Sequence, residues 1–411
     1  MSWRLHLVLV AAALLGAGVW GGVRAARAPE SDAAPRAGAT DDRLDRDVQI
    51  RVWGTALEAD PGSALVLGQL AALHLQRSRE TGAWNDLLRA ESYARVSLAK
   101  RTQRNGATAA TLVAALVAQH RFREADAVAA ALVAREPDVL EYRAMLAEVA
   151  MERGDYVVAE REFGKVWPLR SHLSVAPRLA RWRELTGDQA GARRLLEGAR
   201  DEAWERRDLP REVKAWFALR LGEFERRAGR PRRAELALRG GLGLAEDDPR
   251  LLLAMARLHA DARDPDGAIA WGERAIGERL DPEVLLLLAD AYAAKGDAAQ
   301  AARARTAFDA AVSAVEGPFH RQWSLALLDR GEQVPALLER ARAELKERQD
   351  IHAYDLLAWA LFKSGRIDDA AIAIDSALRL GTRDPQLEAH AAAIRQAASR
   401  RDVATVPARR D

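Results

Sequence analysis

The chain has 411 residues, with 62 Lys and Arg against 60 Asp and Glu, and no Cys. Those numbers exclude a disulfide scaffold, a thiolate-ligated metal centre and a thiol nucleophile, and ordinary Gly and Pro usage excludes collagen-like and low-complexity chains. With 30% charged residues of balanced sign and ample Leu, Val and Ala, the chain can bury a large core, and its pI near 9.0 on a net charge of +2 is poor evidence for nucleic-acid binding.

The first element in chain order is an apolar run over residues 7–19, with Trp20 at its edge and Arg4 and His6 before it. It has the length of a signal-peptide core and is short for a bilayer span, which takes about 20 apolar residues. Stretched over 5–23, it reads as a weak anchor. Small-residue cleavage triplets follow at Val23-Arg24-Ala25 and Ala26-Arg27-Ala28, the second spoiled by Pro29. Residues 1–24 are therefore expected to be a cleaved signal peptide or a retained membrane anchor, and both place the rest of the chain outside the cytoplasm. Residues 25–46 are rich in Ala, Pro, Arg and Asp without hydrophobic periodicity, which predicts a flexible linker. A disordered tail is expected over 399–411.

Between these ends one pattern recurs: Leu followed by a small residue, a Gly-polar turn, an Ala at a fixed distance, and often a Pro near the close. Clear copies are LRLGEFERRAGRPRRAELALRGGL at 219–242, LLLADAYAAKGDAAQAARA at 286–304 and LLAWALFKSGRIDDAAIAIDSAL at 356–378. Aligned on these landmarks, units start near Ala64, Gly106, Leu140, Leu173, Ala215, Pro249, Pro282, Gly317 and Ile351, at spacings of 42, 34, 33, 42, 34, 33, 35 and 34 residues. A period of this size marks a solenoid of stacked units. Small residues on facing turns let two antiparallel helices approach, Gly permits the positive φ that ends the first helix, and Pro stops the second from running on.

Over about residues 47–398 the pattern resembles the tetratricopeptide repeat family, whose unit is a 34-residue helix–turn–helix. The family's Leu-Gly pair is matched by Leu221-Gly222, and loosened at Leu146-Ala147, Leu288-Ala289 and Leu357-Ala358. Its turn glycine is matched by Gly154, Gly187, Gly229, Gly296 and Gly365. Its second-helix alanine is matched by Ala125, Ala159, Ala192, Ala234, Ala268, Ala301 and Ala370. The resemblance implies an all-α, right-handed superhelical α-solenoid of about nine units. The long spacings place about seven extra residues in a turn over 77–86 and in a connection over 201–211. The unit from Gly317 is degenerate, with helices expected over 319–328 and 335–345, and a capping helix is expected over 385–398.

Other motifs have plainer readings. Gly16, Gly18 and Gly21 fit the letters of a dinucleotide fingerprint but lie inside the export segment, without the strand and helix that chemistry needs. Residues 262–273 mimic a calcium loop, yet Ala262 stands at the first ligand position, and a turn capped by Asp264 or Asp266 explains the string. The eight His are scattered, with His352 placed on the groove side of the last unit. The arginine runs at 206–211 and 230–233 sit beside Glu205, Asp208, Glu212 and Glu235, as solvated helix faces do. No catalytic residue, cofactor or metal site is expected.

In the family the concave face is lined by the first helix of each unit. Carried onto this register, the resemblance implies a groove made by Arg178, Arg181, Arg220, Glu223, Arg250 and Arg257 in the middle units. In the later units it implies Glu283, Asp290, His352, Asp355 and Trp359. Such a groove runs from basic to acidic and suits a peptide of opposite polarity. The Lys/Asn pattern of the family's carboxylate-clamp members is absent. The expected function is a non-enzymatic protein–protein scaffold or adaptor of the bacterial periplasm, tethered to the inner membrane if residues 1–24 are retained, with protein or peptide partners and no nucleic acid. The alternative is an accessory subunit of an envelope polymer or cofactor assembly machine that contacts glycan or precursor polypeptide.

Overall fold

A computed structural model describes residues 39–314 and 321–405. The expected signal or anchor, the glycine fingerprint within it and the first part of the linker lie outside the described residues. Every regular element among those described is helical.

Helix α1 (Ala39–Ala59) leads into nine helical pairs: α2 and α3 (Ala64–Thr81, Trp84–Lys100), α4 and α5 (Gly106–Ala118, Phe122–Arg135), α6 and α7 (Leu140–Arg153, Tyr156–Lys165), α8 and α9 (Ala176–Leu185, Gln189–Glu205), α10 and α11 (Arg211–Arg227, Pro231–Leu242), α12 and α13 (Pro249–Asp261, Pro265–Glu278), α14 and α15 (Pro282–Lys295, Ala298–Ala314), α16 and α17 (Arg321–Asp329, Val334–Glu344), and α18 and α19 (Ile351–Lys363, Ile367–Ala377). Helix α20 (Pro385–Thr405) covers the last pair. Each pair packs on itself and on the next, so buried apolar clusters follow one another along the chain. This is the one-dimensional stacking of a solenoid.

The landmarks do what their chemistry predicts. Gly154, Gly187, Gly229, Gly296 and Gly365 all have positive φ at the break between paired helices. Ala125, Ala159, Ala192, Ala234 and Ala370 are fully buried, Ala268 nearly so, and Ala301, beside the degenerate unit, is only half-buried. At Gly222 an added Cβ would lie 2.5 Å from Leu238 Cδ2, so the Leu-Gly pair marks the closest helix approach in its unit. Asp155, Asp188, Asp264 and Asp350 accept backbone N–H groups at helix N-termini. The calcium-like string is thus a capped turn, with Asp264 accepting from Gly267 N–H at 3.0 Å. Pro249, Pro265 and Pro282 stand in the first turn of their helices, where the missing N–H costs nothing.

Three expectations are corrected. The linker does not reach residue 46, because α1 begins at Ala39, and Arg43 and Arg46 pin it to later helices through ion pairs that hydropathy does not reveal. The tail is helical as far as Thr405, since α20 continues on propensity beyond its packed face. The two long spacings lengthen helices and not turns: α2 and α3 have 18 and 17 residues, and α9 and α10 have 17 each, against 13 and 14 in α4 and α5.

The array also makes a long-range contact with itself. The chain curls until the segment between α17 and α18 meets the turn between α6 and α7. Gln349 N–H donates to Arg153 C=O at 2.8 Å, and Ile351 N–H donates to the Tyr156 hydroxyl at 2.8 Å. Arg379 lies over the Tyr156 ring at 4.7 Å and donates to the Gln349 carbonyl. Thr382 donates to the Leu185 carbonyl, and Ile351 and Leu380 join the apolar cluster of units three and four. Residues almost 200 apart in sequence thereby share a backbone seam.

Gly154 stands at its centre. Its φ is +83°, and a Cβ there would collide with the Gln349 carbonyl, whereas Gly296, at φ +86°, has open space around it. Gly296→Ala should cost about 1 kcal/mol for the backbone strain alone. Gly154→Ala should cost roughly 1–3 kcal/mol more and raise the radius of gyration in small-angle scattering. Urea denaturation and scattering of the two variants check both expectations.

Candidate functional site

The concave face holds two separate spaces. The first is a chamber of about 570 Å³ enclosed by α2, α4, α6, α8, α10 and α12. It is lined by Val113, Val117, Met145, Met151 and Val213, and by Arg79, Arg178, Arg181, Arg220 and Arg250 among Glu80, Glu148, Glu152 and Glu212. Helix α1 adds Arg43 and Arg46, which pair with Glu212 at 2.7 Å and with Glu80. Because α1 touches both α2 and α10, it spans the interior from the first unit to the fifth.

The interior is organised as a charge network. Arg178 Nε donates to Glu148 at 2.7 Å. Arg181 donates to Glu184 at 2.8 Å and approaches His352 Nε2 at 2.6 Å across the closed superhelix. Arg227 Nε donates to the other Glu184 oxygen at 2.9 Å. Burial alone would raise the Glu184 carboxyl, but Arg181 and Arg227 outweigh it and hold it down at about 2. Burial first, then Arg321, Arg181, Arg348 and Arg227, push the His352 imidazole well below its ordinary value, which leaves it neutral and able to accept from Arg181. Arg348, from the seam, pairs with Glu152 at 3.2 Å and with Asp350.

The second space is a cleft of about 520 Å³ on α12, α14 and α16. Its floor is Leu286, Leu287, Ala291, Ala294, Trp323 and Ala326, and five carboxylates but two arginines line its sides. Between chamber and cleft, Arg257 bridges Glu223 at 3.2 Å and Glu283 at 2.7 Å.

The predicted groove residues therefore divide. Arg178, Arg181, Arg220 and Arg250 line the chamber, Glu223 and Arg257 form the partition, and Asp290 lines the cleft, where it pairs with Arg330. Asp355 and Trp359 are corrected: they lie beneath α20. Asp355 is fully buried, accepting from His390 Nδ1 at 2.7 Å and from Arg321. Trp359 stacks on His390 with ring centroids 4.0 Å apart and donates to Asp329 at 2.8 Å. Register alone assigns them to the groove; the capping helix takes that place. Arg79, Glu80 and Glu152, which also line the chamber, were not singled out in the sequence. The lengthened α2, which carries Arg79 and Glu80 one turn further than an ordinary unit would, was the available signal.

No family model matches the chain, and no curated protein matches it. Among solved structures, the human IFIT1 dimer with m7Gppp-AAAA superposes with a TM-score of 0.51 at 12% identity, over 84% of this chain and 78% of that one. A tetratricopeptide repeat protein from Parabacteroides merdae ATCC 43184 gives 0.43 at 14% identity, over 61% and 94% of the two chains. The APC/C hetero-tetramer Cut9–Hcn1 gives 0.46 at 12% identity, over 79% and 63%. The fold is a tetratricopeptide-type solenoid. Low identity over such lengths is what tetratricopeptide stacking allows, since only the small and apolar positions of each unit are constrained.

The network predicts acid sensitivity. Glu184 has a depressed carboxyl in the folded chain, so its stabilisation is fully present above the unfolded value near 4.5 and is lost as pH falls toward about 2. The loss should be roughly 2–3 kcal/mol. Glu184→Gln should be less stable than the parent at pH 7, because Arg181 and Arg227 lose their common partner, and should lose less between pH 4.5 and 2. Urea titrations across that range are the check.

Proposed function

We propose that the protein is a non-enzymatic adaptor, exported from the cytoplasm, whose cleft on α12, α14 and α16 holds a segment of a partner protein. The observation that carries this reading is the composition of the cleft: an apolar floor around Trp323 with a surplus of carboxylates at its sides. Helix-lined grooves of this kind take extended or helical segments, held here by apolar anchors on the floor, since the carboxylates at the sides are already engaged by other residues. The tetratricopeptide fold suits such a role, and the repeats account for nearly all of the described residues. Export is supported by the apolar run at 7–19 with its trailing small residues. No helix among the described residues is long and apolar enough to cross a membrane, so residues 1–24 carry any attachment in this reading.

Arg181 and Arg257 belong to structural ion pairs, so reversing them would disrupt the fold as well as any partner. The cleft floor gives a cleaner test. Crosslinking and affinity capture from cells should recover a partner whose crosslinks fall on α14 and α16. Leu287→Glu and Trp323→Ala should weaken its binding at least tenfold while Arg79→Gln leaves it unchanged. Capture unaffected by the cleft variants would contradict the assignment, and sequencing the mature N-terminus after fractionation tests export separately.

A further inference from the structure

Helix α1 is attached to the array by charge more than by a core. Over residues 43–59 its one buried side chain is an arginine, Arg46, whereas its neighbour α2 buries seven residues, among them Leu67, Leu70 and Leu75. The solvent face of α1 is its apolar one: Leu44, Val48 and Val52, spaced four apart, are 59%, 46% and 60% exposed. An ordinary amphipathic helix does the reverse and turns its apolar stripe to the core. Ile50, Trp53 and Leu57 are half-buried.

The N-terminal half of α1 is held by two arginines one helical turn apart. Arg43 Nε donates to Glu212, in the first turn of α10, at 2.7 Å, and its guanidinium lies 3.6 Å from Asp247. Arg46 pairs with Glu80 near the end of α2, where Arg77 approaches Asp47 at 3.6 Å. The Glu80 and Glu212 side chains are each only 6% exposed, and both line the chamber. Gln76, a neutral amide, also donates to Glu80 at 2.9 Å. Arg250 acts on Glu212 through space but is bonded to Asp248. Burial pushes the Glu212 carboxyl up, and the Arg43 hydrogen bond is the largest influence against it.

A buried ion pair recovers its desolvation cost only in part, so such a latch is weak; taking away its cation strands a buried carboxylate, which costs more. When α1 leaves, another pair of cations must take its place. Arginine meets that need best, since its planar fork fits a carboxylate and is more weakly hydrated than an ammonium.

We propose that α1 is an intramolecular stand-in for a partner: the Glu80 and Glu212 sockets take a helix of another protein that presents two arginines three residues apart, and docked α1 withholds them. The turn at Asp60–Ser63, which joins α1 to α2, is the hinge on which α1 leaves. This site is separate from the cleft on α12, α14 and α16 and does not depend on it. A segment on so short a tether competes at roughly millimolar effective concentration, so a free helix gains the sockets only where the latch is weakened.

The test uses the full chain and, as probe, a fluorescent peptide of residues 39–59. Hydrogen exchange of the unaltered chain should show α1 opening as a unit at least tenfold more readily than α2 and α10. With Arg43→Glu and Arg46→Glu together, α1 should lose its protection while α2 to α19 keep theirs. The peptide should then bind saturably, at least tenfold more tightly than to the parent. Glu80→Gln and Glu212→Gln in that background should abolish the gain, as should the two charge reversals made in the peptide. An alanine-based helix carrying only the arginine pair should displace the peptide. If the reversed chain does not fold, Arg43→Gln with Arg46→Gln removes the latch without repulsion and serves the same comparison. The proposal is overturned if α1 stays protected in the variants, if the whole array loosens with it, if the peptide binds parent and variant alike or binds neither, or if the alanine-based helix does not compete.

Discussion

The contact on which the rest of the structure depends is the approach of two backbone segments, Arg153–Gly154 and Gln349–Asp350. A solenoid held only by nearest-neighbour packing has an open concave face, and charges on it are hydrated and cheap. Here the chain is brought back on itself by the Gln349–Arg153 hydrogen bond and the Tyr156 hydroxyl beneath Ile351. Only glycine at 154 leaves room for that approach. Once the ring is shut, the first helices of units one to six face a limited volume of water and each other. Their arginines and glutamates become the partly buried network centred on Glu184, Arg181 and His352.

The concave surface carries two spaces of different lining. Along units one to six, burial strengthens every electrostatic interaction, favourable or not. Around units six to eight the cleft floor is apolar, with most carboxylates held by Arg257, Arg330 and Arg226. Arg257, between Glu223 and Glu283, is the partition.

Much of the fold was legible in the sequence because the repeat encodes it locally. The unit starts read from Leu-small, Gly and Ala landmarks fall within four residues of the first helices of all nine pairs, including the degenerate one. The misses share one physical cause. Whether seven extra residues lengthen a turn or two helices depends on packing across the pair, which spacing does not report. Similarly, Asp355 and Trp359 occupy groove positions by register, and what removes them is His390 on a helix some thirty residues later. The chamber arginines Arg178, Arg181 and Arg220 were named from the family register, but their states were not readable: that Arg181 is ion-paired with Glu184 while Arg220 lies over the Trp216 ring is decided by tertiary packing. Long-range closure has no local signature, because it is made by backbone atoms and by a glycine whose role as a helix stop was already sufficient reason for it.

The central claim is that the array is closed, and the missing cysteines make it directly measurable. Cysteines introduced at Val157 and Ile372, 77% and 71% exposed on either side of the seam, would be the only labelling sites in the chain. Spin labels there should give one narrow distance distribution by pulsed electron resonance, broadening and lengthening in a Gly154→Ala background but not with Gly296→Ala. A broad, long distribution in the otherwise unaltered chain, indifferent to Gly154, would mean that the solenoid is open and that neither the chamber nor its charge network exists as described.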